Sequence, residues 1–345
     1  MTGRIERLRA KLEQPLLVSD PANVRYLCGL ESSNAALVIE PDRVLLFADF
    51  RYAEGAAAVE GVEFTETNRD LFQSLSELLE GTLAFEASSL SYERHARLHA
   101  GGIELVPTYA LVEELRAVKD DGELASIRRA SAITSQALER FADETFVGRT
   151  ERELAWRLED LHRELGGEAM AFAAVIASGA NSARPHTTAG ERKVEAGETV
   201  IVDAGCMVDG YCSDCTRTFA TGPLPDELRR AYEVCLDAQL VGLEAVRPGA
   251  SGPGADAAAR DKIDAAGFGD AFRHGLGHGV GLRVHEAPRL AQESRDTLQE
   301  RNVVTVEPGI YLSGTGGIRI EDLVVVQDGD PEILTTSTKD LITVD

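Results

Sequence analysis

Residues 302–321 read NVVTVEPGIYLSGTGGIRIE. Two segments here, NVVTVEPGIY and GIRIEDLVVV, read as strands, and each carries one carboxylate, Glu307 and Glu321. Alternate residues of a strand face the same side. Thr305 therefore shares a face with Glu307. Arg319 shares one with Glu321, while Ile318 and Ile320 point the other way. Each acid lies on the polar-leaning face of a strand whose back is apolar. That pattern suits a solvated cleft over a packed layer.

The same reading extends outward. ETVIVDAG (198–205) carries Asp203. In YCSDCTRTF (211–219), Cys212, Asp214 and Thr216 share a face and Cys215 points away. A fifth candidate, His278, sits in the glycine-rich stretch RHGLGHGVGLRVHE (273–286). Burying carboxylates is costly unless positive charge compensates them. Four of them on apolar strands imply a strong compensating charge. Two divalent cations would supply it, with the imidazole completing the coordination. This hard, oxygen-rich donor set favours Mn, Co, Fe or Zn with water over a thiolate zinc site. Two such ions ~3.5–4 Å apart can hold a hydroxide and polarise a carbonyl, and the chemistry that follows is hydrolysis.

At 345 residues the chain has length for about two domains. Its 43% hydrophobic and 27% charged content is ordinary for a globular protein and sufficient for a core in each. The net charge of −23 repels phosphate backbones and anionic lipids, so neither nucleic acid nor membrane is an expected partner. The first residues, MTGRIERLRAKLEQ, lack the apolar core of a signal peptide. No stretch approaches the ~20 apolar residues of a membrane span. The five cysteines, an odd number, read as reduced thiols, and the expected location is cytoplasmic.

Residues 16–119 have the pattern of a small α/β domain. PLLVSD, TLAFEA and IELVP read as strands, and AALVIE-PD-RVLLFAD reads as a hairpin. RDLFQSLSELLEG is an amphipathic helix ending at Gly81, and YERHARLHA is helix-like. The polar segment RAVKDDGE marks the boundary, giving residues 1–118 as a non-catalytic domain and 119–345 as the catalytic one. A long helix follows, with Leu124, Ile127, Ala130, Ile133, Ala137 and Phe141 forming one stripe. Thr150 and Glu153 form a capping box for the next helix, which carries Leu154, Leu158, Leu161 and Leu165 and stops at Gly166-Gly167. DELRRAYEVCLDAQLVGLEAV, a turn at RPGASGPG, and DAAARDKIDAAG repeat that plan before further strands. The first copy supplies Asp203 and Asp214, the second His278, Glu307 and Glu321. A pseudo-symmetric sheet would bring the two sets together at its centre.

VDAG, GYCSDCTRT, HGLGHGVGLRVHE, TVEPGIY and RIED together resemble the M24 metallopeptidases, and within them the proline-specific branch of aminopeptidase P and prolidase. SDPANVRYLCGL and FADFRYAEGA resemble that branch's non-catalytic domain. The resemblance implies an α+β chain, with a C-terminal pita-bread (creatinase/aminopeptidase-like) domain preceded by a smaller creatinase-like α/β domain. It implies a dinuclear peptidase that hydrolyses the Xaa-Pro bond of short proline-containing peptides or dipeptides by attack of a metal-bridging hydroxide. Mn is the first expectation for the two ions, with Co, Zn or Fe as alternatives. Asp214 and Glu321 would bridge the ions, Asp203 would chelate one, and His278 with Glu307 would bind the other. Glu307 would also shuttle a proton. His186 falls at a substrate-side histidine position, and His285 would hydrogen-bond the scissile carbonyl. His274 and Arg289 would contact the proline ring and the substrate carboxylate. Tyr311 and Arg319 would support the site. Family members often dimerise, so a homodimer is expected by analogy. Two alternatives stay open: a small-amide hydrolase of the creatinase kind, and a non-catalytic peptide-binding protein. The intact ligand set argues against both.

Other residues take blander readings. The Cys212-x-x-Cys215 pair lacks the second half of a zinc knuckle. His95 and His99 form a solvated helix face. His162 reads as surface, and Trp156 as core or domain-contact packing.

Overall fold

A computed structural model describes residues 2–185 and 187–345. The chain divides into two compact units, Met1–Arg116 and Ala117–Asp345.

The first unit is built on a six-stranded sheet. Its spatial order is Glu63–Thr67, Val44–Asp49, Ala35–Ile39, Leu16–Val18, Thr82–Glu86, Glu104–Thr108. The expected hairpin is present, with Ile39 opposite Val44. The helix Pro21–Cys28 starts at Asp20, whose side chain accepts from the amides of Ala22 and Asn23. It stops at Gly29, which adopts φ 79°. The helix Leu71–Leu78 ends sooner than expected, because Leu79 is already extended and Gly81 turns the chain into the next strand. Leu17, Val38, Phe47, Leu75, Phe85 and Leu98 fill the core under the sheet.

In the second unit the order helix, helix, strands occurs twice. The first set has helices Asp121–Phe141 and Glu151–Glu164, then strands Val175–Ser178, Thr199–Ala204 and Cys215–Ala220. Leu124, Ile127, Ala130, Ala137 and Phe141 of the long helix are buried. The Thr150–Glu153 capping box forms as expected. The second set has helices Asp226–Ala245 and Gly252–Ala265, then a sheet ordered Glu286–Leu290, Gly277–Gly279, Val303–Val306, Asp322–Val325, Glu332–Ile333. The second of these helices starts four residues earlier than the sequence suggested. Ser251 caps Gly254 N, and Pro253 sits in the first turn, where its missing N–H costs nothing. The strands also differ from the expected single sheet. They form several small sheets, and Gly309–Leu312 pairs with Gly316–Arg319 as a separate hairpin. Among the described residues no helix is long and apolar enough to cross a membrane.

Candidate metal centre

Asp203 is the fifth residue of Thr199–Ala204 and stands opposite Thr216 in antiparallel register. Val200 and Val202 point to the other face and are fully buried in the core. On the near face Ile201 packs with Tyr311. The remaining acids sit at strand ends rather than within strands, contrary to the expectation. Asp214 lies in the two-residue crossing between Tyr211–Cys212 and Cys215–Ala220. That crossing is pinned by Ser213, whose amide donates to Cys206 O (2.9 Å) and whose hydroxyl meets Thr134 (2.8 Å). Glu307 follows Val303–Val306 and precedes Pro308, which has no N–H to continue a ladder. Glu321 falls between Gly316–Arg319 and Asp322–Val325, and its amide donates to Thr216 O (3.2 Å) across the gap between sheets. Leaving the pleat frees these side chains to converge.

They do converge. Asp203, Asp214 and Glu321 each offer an oxygen within 4.8 Å of the others. His278 Nε2 lies 3.3 Å from Glu307 Oε1 and 3.7 Å from Asp214 Oδ2. The glycines beside His278 leave its strand no room for other side chains. A Cβ on Gly277 would strike Thr305, and one on Gly279 would strike Ala287. His278 Nδ1 faces Gly279 O at 3.1 Å. A carbonyl only accepts, so Nδ1 carries the proton. A neutral ring then presents the Nε2 lone pair to two carboxylates. That arrangement requires either a second ring proton or a cation between the groups.

The carboxylates need the same compensation. Burial, then the other acids, pushes Asp214 and Glu321 well above the ordinary carboxylate range. Burial raises Asp203 too, against the nearby Arg319 guanidinium. Glu307 behaves oppositely. Burial opposes its charge, but the hydrogen bond from His278 and the His278 and His274 charges hold it at about 2. Burial pulls His278 down, but its bond to Glu307, the Glu307 and Asp203 charges and the Gly279 carbonyl together raise it. Asp203 Oδ1 is buried with no hydrogen-bond partner, while Oδ2 accepts from Arg319 Nη2 at 2.6 Å. An orphaned carboxylate oxygen facing two more acids fits a divalent cation. Thr216 Oγ1 donates to Glu321 Oε2 (2.7 Å), and Thr305 Oγ1 donates to Glu307 Oε1 (3.2 Å), orienting each ligand. Neither hydroxyl was singled out from the sequence as part of the site. Their shared strand face with Asp214 and Glu307 was the available signal.

Arg319 Nη1 donates to the Tyr311 hydroxyl (3.1 Å), which bonds His274 Nε2 (2.9 Å). Burial raises Tyr311 to about 12 against the pull of Arg319. The His285 ring packs edge-on against His278, centroids 4.3 Å apart. Arg289 stands opposite His278 in register, but its exposed guanidinium pairs with Glu293 at 2.7 Å. His186 lies outside the described residues.

Two of the blander readings need correction. His162 is buried at 1% exposure, its Nδ1 bonded to Leu158 O one turn back (2.8 Å), because it continues the stripe of Leu154, Leu158 and Leu161. Trp156, off that stripe, is 59% exposed and not core. The Cys212 and Cys215 thiols approach different groups, Leu282 O and Glu321 O, and do not form a pair.

Converging acids and one imidazole at the junction of small sheets, in a chain with a separate α/β unit, define a metal-dependent hydrolase. Residues 125–328 match the model of metallopeptidase family M24, and residues 4–118 match the creatinase/prolidase N-terminal domain. An uncharacterized peptidase of Bacillus subtilis is 38% identical over 98% of this chain and 99% of its own length. The fold matches an Xaa-Pro dipeptidase from Bacillus anthracis with TM-score 0.96, at 35% identity, covering 99% of both chains. It matches an X-Pro aminopeptidase from Thermotoga maritima with TM-score 0.89, at 34% identity, covering 99% of this chain and 100% of that one. The chain belongs to metallopeptidase family M24, with a creatinase-type α/β domain ahead of the pita-bread domain.

Proposed function

We propose that this chain hydrolyses the bond preceding proline in dipeptides or short peptides, as an Xaa-Pro dipeptidase or aminopeptidase. The observation that carries the reading is the convergence of Asp203, Asp214 and Glu321 within 4.8 Å, with His278 and Glu307 beside them. The proline preference is supported by the names borne by the two similar structures.

Asp214 and Glu321 would bridge two divalent ions, with Asp203 on one and His278 with Glu307 on the other. Manganese is the first choice, with cobalt, zinc or iron as alternatives. Such a pair lowers the pKa of bound water and polarises a carbonyl. The protein side of the reaction follows from its own groups. Glu307, oriented by Thr305, takes the proton released from the attacking water and passes it to the leaving nitrogen. His285 donates to the carbonyl oxygen as negative charge develops there. The resemblance gives His186 a substrate-side role. His274 and Arg289 receive the proline ring and the substrate carboxylate, while Arg319 and Tyr311 hold Asp203 and His274 in place. An Xaa-Pro bond has no N–H and a fixed φ, so a site that positions the ring and polarises the carbonyl replaces the usual extended-strand binding. The working form is a homodimer, which light scattering on the purified protein would test.

Mn-loaded protein should release Xaa from Xaa-Pro dipeptides, from Xaa-Pro-Yaa tripeptides, or from both. The ratio of the two separates dipeptidase from aminopeptidase. No release from either would overturn the reading.

A further inference from the structure

We propose that Lys119 is a positioning residue for His285, acting through Glu286. The inference rests on the role given to His285 above. Lys119 is 1% exposed, and its ammonium lies 3.9 Å from the Glu286 carboxylate, itself 7% exposed. Burying an ammonium is costly unless something pairs with it. Lys119 is also tied to Arg301, just ahead of the strand that precedes Glu307. Its amide donates to Arg301 O (3.1 Å), and its carbonyl accepts from Arg301 Nε (2.5 Å). Its Nζ donates to Ala117 O (3.3 Å), and that carbonyl also accepts from Asn302 Nδ2 (2.9 Å). Arg301 and Asn302 lead directly into Val303–Val306.

The other end of the pair organises the loop between the two histidines. Glu286 pairs with Gly279 in the strand register, next to His278. Its Oε1 accepts from Arg283 N (2.8 Å), and Gly281 N donates to Arg283 O (3.0 Å). The carboxylate lies so close to Gly281 that a Cβ there would overlap it. Gly281 O in turn accepts from Cys212 N (2.8 Å), close to Asp214. Residues 280–286 are therefore wrapped around one carboxylate, and His285 is its immediate neighbour. The Lys119–Glu286 contact ties this wrapped loop to the strand leading to Glu307. It fixes where the His285 ring stands relative to His278. A misplacement of ~1 Å in such a group costs about a hundredfold in rate.

The test uses the Mn-loaded full chain with Lys119→Met, Lys119→Arg, Glu286→Gln and the double variant Lys119→Met/Glu286→Gln. Diethyl pyrocarbonate labelling, read by peptide mass spectrometry, follows His285 against the exposed His99 as internal reference. In Lys119→Met, the labelling rate of His285, itself exposed, should change at least about threefold with His99 and the metal-to-protein ratio unchanged, and kcat should fall roughly 10- to 100-fold with KM nearly constant. Lys119→Arg should retain most of the wild-type rate and labelling. The double variant should be no worse than the worse single one, because both act through one contact. Unchanged His285 labelling in the folded variants, or losses that multiply in the double variant, would overturn the proposal. If Lys119→Met does not fold, Glu286→Gln carries the same readout. The labelling needs no substrate, so a wild-type protein inactive on proline peptides would sink the proposed activity while leaving this test intact.

Discussion

Arg319 and Asp203 form a 2.6 Å ion pair inside the carboxylate cluster, with side chains only 6% and 15% exposed. The guanidinium also donates to Thr216 Oγ1 (3.0 Å) and Tyr311 OH (3.1 Å), so it is held in a fixed place. It lowers the cost of charging Asp203, Asp214 and Glu321 together. Breaking one side of a buried pair typically costs about 3–5 kcal/mol. Arg319→Met should lose stability of that order in chelator, and less with saturating metal, because bound cations replace the missing charge. Urea denaturation in EDTA and in Mn measures both. Equal losses in the two buffers would mean that the guanidinium does not share the task of neutralising the cluster.

Metal retention should fail together with activity when a shared ligand is removed. In Asp214→Ala or Glu321→Ala the ratio of metal to protein should fall by at least half and turnover should vanish. The wild-type chain should melt about 5–10 °C higher with metal at a hundred times its dissociation constant than in EDTA. Elemental analysis of freshly purified protein and paired melting curves check this. A variant that keeps its full metal content while inactive would show that the acid does chemistry without binding a cation.

His285 is expected to act on the substrate and not on the ions, although its ring lies 4.3 Å from that of His278. His285→Ala should keep the wild-type metal ratio and lose about 10²–10³ in kcat with little change in KM, as for removal of one oxyanion donor. Steady-state kinetics on the preferred proline peptide gives the split. Full activity in this variant would remove His285 from the mechanism and, with it, the need to position it.

Strand parity around 302–321 pairs Thr305 with Glu307, and the structure joins the two by a 3.2 Å hydrogen bond. Parity could not show that Asp214, Glu307 and Glu321 stand at strand ends. That depends on Pro308 and on how Ser213 and Glu321 cross between sheets, which are tertiary facts. His162 was misread because it lies among charged residues in sequence, yet falls one helical turn after Leu158, on the buried side. The edge strand Glu63–Thr67 carries no apolar alternation, since most of it is exposed, and it went unread. Lys119 looked like part of a polar linker. Only the fold shows that its stem is buried and its charge meets Glu286.

Glu86, in the first unit, offers a pH test far in sequence from the candidate ligands. It ends the strand Thr82–Glu86 and is 6% exposed. Burial raises it to about 7, against hydrogen bonds from Asn23 Nδ2 (2.6 Å), Ser19 N (2.7 Å) and Asp20 N (2.8 Å), with Glu113 adding repulsion. The folded state thus holds this proton more tightly than the unfolded chain, whose value is the ordinary 4.5. The stabilisation is fully present below pH 4.5 and is lost as pH rises through about 7, a contribution of about 3 kcal/mol. Glu86→Gln has no proton to lose, so its stability relative to wild type should rise by that amount between pH 5 and 8. Carboxyl 13C NMR on the wild-type chain should show one glutamate titrating near neutrality that is missing in the variant. A Glu86 midpoint at or below 4.5 would mean that its hydrogen-bond donors outweigh burial, and the pH-dependent difference between the two proteins would disappear.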